Sequence, residues 1–153
     1  MEINELYSEL ILEHNQNKAN KRSIEQATHI EHGHNPSCGD EITVEAILKD
    51  GIILDLAYTG AGCAISQASA SMMIDLLKGK TVQEGLTFTQ RFIGMIKRED
   101  IPEVDLEELG DAYILKNIQN VPARVKCAVL AWHALNELLK SEAAKVGNSL
   151  QMD

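Results

Sequence analysis

The chain reads as an α+β protein: a small antiparallel β-sheet of about three strands with several helices packed on it. Three observations predict this. Ile42, Val44, Ala46 and Leu48 alternate with Glu41, Thr43, Glu45 and Ile47, the period-two pattern of a half-buried strand. Lys49-Asp50-Gly51 then supplies a hairpin turn, and Ile52 to Tyr58 a partner strand. Apolar residues at helical spacing lie before this hairpin and again after it. The order helix, strands, then several helices suits helices gathered on one sheet face.

Each element has its own local signal. Ile3, Leu6, Tyr7, Leu10 and Ile11 recur at helical spacing, which predicts a helix from Asn4 to about His14. Asn15 to about Glu31 is polar and weakly periodic, and reads as a long exposed connection. A third strand around Ile30 to Gly33 has little in the sequence to support it. Thr59-Gly60-Ala61-Gly62 ends the hairpin. A helix then runs from Cys63 to Leu77 and stops at Gly79. Thr81-Val82-Gln83-Glu84 is a capping-box pattern that opens a helix to about Lys97. Ile101 to Gly110 is an acidic connection with room for one helical turn. Pro122 suits the first turn of a last helix, which carries Val125, Val129, Trp132, Leu135 and Leu139 and ends near Glu142. Residues 1–153 read as one domain, with a helix and connection over 1–20 and a tail that frays over 145–153.

Composition excludes several classes of function. The 153 residues include 23 acidic and 14 basic ones, for a formal charge of −9. Nucleic acid and anionic membrane both call for clustered Lys and Arg, so neither is an expected partner. Aromatics are only 4% of the chain against 44% hydrophobic residues, so the core is aliphatic. The start, Met1-Glu2-Ile3-Asn4-Glu5, lacks the basic-then-apolar layout of a signal peptide. No run is long and apolar enough to span a bilayer. The expected compartment is a reducing cytoplasm. There the odd count of three cysteines, two of them in glycine-containing loops and one of these beside an acid, reads better as thiolate ligands than as disulfides.

Those cysteines fall in three motifs. In Asn35-Pro36-Ser37-Cys38-Gly39-Asp40, Pro36 restrains the backbone and Gly39 lets it fold tightly, so Cys38 and Asp40 can face one centre. Gly60-Ala61-Gly62-Cys63 enters a helix and sets Cys63 at its N-terminus, where the dipole favours a thiolate. Cys127 lies early in the last helix after Arg124 and Lys126, two cations that read equally as charge compensation and as a solvated helix edge. Taken singly, each cysteine is most simply a small core residue, and with no CxxC pair the spacing leaves both readings open. Three thiolates and one carboxylate around Zn²⁺ would leave a charge of roughly −2, which Arg124 and Lys126 could offset. His29, His32 and His34 stand just upstream; a cluster of this kind can bind metal, and its simpler reading is incidental histidines of a polar loop. His133 reads as a surface or core-edge residue.

Together, the segments Asn35–Asp40, Gly60-Ala61-Gly62-Cys63-Ala64-Ile65-Ser66 and Arg124-Val125-Lys126-Cys127 resemble the U-type iron–sulfur assembly family, which includes IscU, the NifU N-terminal domain and SufU. The resemblance runs from the first helix to about Glu142. Lys126 stands where the scaffold branch carries a His, and the stretch from about Val82 to Val104 is extra. Both resemble the SufU branch. The resemblance implies a SufE/NifU-like α+β fold and a Zn²⁺ held by Cys38, Asp40, Cys63 and Cys127. It implies iron–sulfur cluster assembly as the function, with Cys38 accepting sulfur from a PLP-dependent, SufS-like cysteine desulfurase. The implied partners are that enzyme and the wider assembly machinery, and the implied activity is that of a zinc-dependent sulfurtransferase partner. Cys38 stands in a loop, so it can leave a metal at lower cost than a helical ligand.

Two further readings compete. One is a scaffold on which iron or a [2Fe–2S] cluster is assembled, since thiolate-rich sites serve both metals. The other is a structural zinc domain, which the weaker Asp40 ligand disfavours. A dithiol oxidoreductase would need a CxxC pair, and a zinc deaminase a His-x-Glu with Pro-Cys-x-x-Cys. Neither is present.

Overall fold

The computed structural model describes residues 3–36 and 39–151, and the side chains of residues 8–36 and 39–145. Helix α1 (Ile3–Gln16) is followed by strands β1 (His29–Asn35), β2 (Asp40–Lys49) and β3 (Ile52–Ala61). Helices α2 (Ala64–Leu77), α3 (Val82–Ile96) and α4 (Glu103–Glu107), a 3₁₀ segment (Gly110–Asn120) and helix α5 (Pro122–Gln151) complete the chain. The sheet is antiparallel with order β1-β2-β3. The expected α+β class is the observed one.

The hairpin forms for the reason its sequence gives. Asp50 and Gly51 both take positive φ, 53° and 77°, the two-residue turn whose twist matches paired strands. Lys49 therefore faces Ile52. Ile42, Val44, Ala46 and Leu48 are buried and form the inner face of β2, on which α5 lies, while α2 lies against β3. β3 runs further than expected, to Ala61, because Gly60 continues the ladder at φ 125°. A Cβ on Gly60 would stand 2.1 Å from the Glu41 carbonyl oxygen.

The polar stretch after α1 is not simply exposed. Asn20 and Arg22 bond the backbone of Tyr58 at 3.0 and 2.9 Å, covering the outer edge of β3, which would otherwise invite pairing with another chain. Its polar side chains find partners rather than water: Lys21 donates to Gln67 at 2.8 Å and Arg22 to Asp55 at 2.6 Å. Ile24 is buried, and its N–H donates to buried Glu45 at 3.3 Å. β1 extends over His29–Asn35, so the three histidines expected in a loop are in a strand. His29 meets Glu142 of α5 at 2.8 Å, while His32 bonds Thr43 at 2.8 Å and His34 lies 4.0 Å from Glu41. Alternate residues of a strand face opposite sides, so His29 points away from the other two.

The helices meet their predicted starts. The Thr81–Glu84 capping box is fully formed, and Pro122 is the first residue of α5. The 3₁₀ segment was not expected. Its buried residues Ala112, Leu115 and Ile118 recur every three positions, the repeat of that helix. α5 continues past Glu142 to Gln151, through the good helix formers Ala143, Ala144 and Lys145. The side chains of Ile3, Leu6 and Tyr7 lie outside the described residues; of the tail expected to fray over 145–153, the backbone continues α5 to Gln151, and the last two residues lie outside the described ones.

One hydroxyl joins α2 to α5. Ser69, fully buried, donates to the Ala128 carbonyl at 2.6 Å and accepts from Trp132 Nε1 at 2.8 Å. Trp132 stacks on Phe92 of α3 with ring centroids 4.0 Å apart, a contact worth about 0.5–1.5 kcal/mol beyond its buried area. Ser69→Ala would strand the indole N–H in the core. The expected loss is about 1–3 kcal/mol of unfolding free energy in urea titration; a loss below about 0.5 kcal/mol would show that Ser69 does not clamp the two helices.

Candidate metal centre

Three elements converge at one end of the sheet. Asp40 is the first residue of β2, opposite Asn35 of β1. Glu41 pairs with Ala61 of β3, which brings Gly62 and Cys63 alongside Asp40. Cys63 is the N-cap of α2, with extended φ and ψ of −69° and 170° and no capping bond from its sulfur. Cys127 sits in the second turn of α5, deeper than the sequence reading had it, and is fully buried. A Cβ on Gly33 would stand 3.2 Å from Leu130, so β1 and α5 approach closely beside Cys127.

The result is a compact donor set. One carboxylate oxygen of Asp40 and the sulfurs of Cys63 and Cys127 all lie within 4.8 Å of one another. Ligands of a single tetrahedral Zn²⁺ stand about 3.5–3.8 Å apart, from Zn–S of about 2.3 Å and Zn–O of about 2.0 Å. The residues present therefore fit a metal of that kind after a small closing movement. Among the described residues no other group of three or more His, Cys, Asp or Glu side chains meets the same spacing, and the histidines of β1 are not part of it. Cys38, expected as a further ligand, lies outside the described residues. The connection that carries it is closed by a bond from Gly39 N–H to the Asn35 carbonyl at 2.9 Å.

Electrostatics favour anionic donors here. Asp40 Oδ1 accepts the Cys63 N–H at 3.2 Å at the positive end of α2. Arg124, three residues before Cys127, shares its face of α5. A hydrogen bond to Cys127, and then the charge of Cys63, raise the Arg124 guanidinium above its ordinary pKa. Lys126 is exposed and one position from Cys127, about 100° around the helix, so the two expected cations are not equivalent. Sequence reasoning missed Ser66 as a site residue. Its hydroxyl donates to Asp40 Oδ2 and lies 3.7 Å from Cys63 Sγ. The i to i+3 spacing from Cys63 was the available signal.

Residues 6–128 match the model of the NifU-like N-terminal domain, a span that includes all three motifs. The chain belongs to the IscU/NifU-like family of iron–sulfur cluster assembly proteins. It is 41% identical over 135 residues to the iron–sulfur cluster assembly scaffold protein IscU of Thermotoga maritima, covering 88% of this chain and 93% of that protein. It is 35% identical over 140 residues to the zinc-dependent sulfurtransferase SufU of Bacillus subtilis, covering 92% and 93%. A crystal structure from Fervidobacterium islandicum AW-1, described as a candidate scaffold protein for the SUF system, superposes with a TM-score of 0.81 at 37% identity, covering 88% and 97%. These relatives span both branches of the family. No helix among the described residues is long and apolar enough to cross a membrane.

Charge reversal separates the two cations. Arg124→Glu would put a carboxylate beside the sulfurs of Cys63 and Cys127, and should weaken metal binding, probed with zinc in chelator competition, at least about tenfold. Lys126→Glu should change it less than about threefold. Equal losses would contradict the unequal placement of the two residues.

Proposed function

We propose that this protein is a zinc-bound sulfur acceptor of iron–sulfur cluster assembly, with Cys38, Asp40, Cys63 and Cys127 as the ligands. The observation that carries this reading is the meeting of one carboxylate and two thiols within 4.8 Å at the N-terminus of α2. Cys38 stands two residues before Asp40 in the sequence, and two residues of chain span at most about 7 Å, so it is the natural fourth donor. The 35% identity to a protein named a zinc-dependent sulfurtransferase supports the same reading. So does Lys126, which offers an ammonium, not an imidazole, immediately before Cys127.

Zinc, when bound, holds its thiolate ligands deprotonated at neutral pH. The rest is the work of the chain. Cys63 and Cys127 are fixed on α2 and α5, whereas Cys38 lies on the β1–β2 connection, and it is the ligand assigned to leave. Its thiolate attacks the outer sulfur of a persulfide on a PLP-dependent, SufS-like cysteine desulfurase. The donor's S–S bond breaks, the donor leaves as a thiolate, and the persulfide now resides on Cys38. No external oxidant or reductant enters the exchange. Arg124 offsets part of the negative charge that two persistent thiolates and a carboxylate concentrate there.

The second reading is a scaffold for a [2Fe–2S] cluster. It is favoured by the 41% identity to a protein named as a scaffold, and thiolate-rich sites accept both metals. Cys38→Ala tests the sulfur-acceptor proposal. Incubated with desulfurase and cysteine, wild-type protein should gain one sulfur atom by mass spectrometry and stimulate turnover. Cys38→Ala should do neither while keeping its circular dichroism spectrum. Wild-type-like sulfur uptake in the variant would overturn the assignment. A coloured, oxygen-labile iron species on anaerobically purified protein, with no stimulation of turnover, would favour the scaffold.

A further inference from the structure

We infer that Ser66 is the positioning residue of this centre, its hydroxyl holding Asp40 in the orientation in which the carboxylate can ligate a metal. This rests on the metal-holding reading above and assigns a residue outside the ligand set. Ser66 lies in the first turn of α2, three residues past Cys63, so both face the same way. One helix end therefore presents a ligand and the group that orients a second ligand on a different strand.

The carboxylate is held on three sides. Oδ2 accepts from the Ser66 hydroxyl, and Oδ1 accepts from the Cys63 N–H at 3.2 Å. On the third side lies Gly62, where an added Cβ would come within 3.0 Å of Asp40 Cγ and 3.1 Å of Ser66 Cβ. The glycine leaves room for the pair and little more. Asp40 is 3% exposed and Ser66 1%, so water has no ready route to replace the hydroxyl. An ionised carboxylate has about four acceptor positions. Each of these two bonds takes one position on its oxygen, and a carboxylate oxygen can accept a hydrogen bond and ligate a metal at the same time. The hydrogen bonds and metal ligation are therefore compatible, and Ser66 supports ligation instead of competing with it. Without the hydroxyl, rotation about the two side-chain bonds of Asp40 is no longer fixed at Oδ2, and the oxygen facing the sulfurs is lost from its place for part of the time.

Partners that orient metal ligands in this way are typically worth about 10- to 100-fold in metal affinity. The test is zinc affinity by competition with a chromophoric chelator, in a cycle of wild type, Ser66→Ala, Asp40→Ala and the double variant. Metal-free thermal melting is run in parallel. Ser66→Ala should bind zinc about 10- to 100-fold more weakly than wild type. In the Asp40→Ala background the same change should cost less than about twofold, because the residue through which Ser66 acts is gone. Ser66→Thr, which keeps the hydroxyl, should bind within about threefold of wild type. An equal loss in both Asp40 backgrounds would mean that Ser66 acts only on the fold, and would overturn the inference. So would Ser66→Ala binding within about twofold of wild type, or Ser66→Thr losing as much as Ser66→Ala. Wild-type protein that takes up no zinc contradicts the reading of the centre as well. Tight zinc in both wild type and Ser66→Ala contradicts this inference alone.

Discussion

The placement of the donor set depends on how α2 and α5 are held together. Cys63 begins one helix and Cys127 lies near the start of the other. Each is separated from the shared contact by only a turn or two. Ser69 makes that contact, donating to Ala128, the neighbour of Cys127, and accepting from the indole of Trp132. A hydroxyl with two partners fixes both the distance between the helices and their relative rotation, which apolar packing alone specifies less sharply. The Phe92–Trp132 stack then ties α3 to the same indole. The metal-competent geometry is thus a by-product of core packing several ångströms away.

The sheet supplies the third donor by register. Because Glu41 faces Ala61, Asp40 falls opposite the turn that leads into α2. A slip of one residue would carry its side chain to the other face of the sheet. Gly60 protects that register, since any side chain there would collide with the Glu41 carbonyl. The glycines before Cys63 belong to the site as much as the cysteine does: one keeps the ladder closed and the other leaves space for Asp40.

Much of this was legible in the sequence, and the exceptions have physical causes. The hairpin, the capping box and Pro122 rest on local chemistry, which tertiary context rarely overrides, and they stand where expected. β1 was hard to read because its outward positions are Ile30, His32 and His34 and its inward ones include Gly33. That pattern lacks the alternation that marks a half-buried strand. The connection after α1 seemed exposed because its residues are polar, yet Asn20, Lys21 and Arg22 spend that polarity on α2 and β3. At the centre, Asp40, Cys63 and Cys127 could be named from motifs because ligands are few and chemically distinctive. Ser66 could not, because a serine in a serine-rich helix is unremarkable until its hydroxyl is seen against a carboxylate. The inequality of Arg124 and Lys126 likewise needed the helix phase, not the mere presence of two cations.

A donor set of mixed hardness gives the account its chemical character. Thiolates bind a soft or borderline metal firmly, while a carboxylate is the harder and weaker partner in such a site. In the proposed centre Asp40 is the ligand oriented by bonds from Ser66 and Cys63, and Cys38, on the connection before β2, is the ligand assigned to exchange. The most direct measurement is X-ray absorption at the zinc edge on protein loaded with one equivalent of zinc. Three sulfur scatterers at about 2.3 Å and one oxygen at about 2.0 Å are predicted. A shell of nitrogen and oxygen alone, or of two sulfurs with two histidine nitrogens, would contradict the assignment of Cys38, Asp40, Cys63 and Cys127 as one centre.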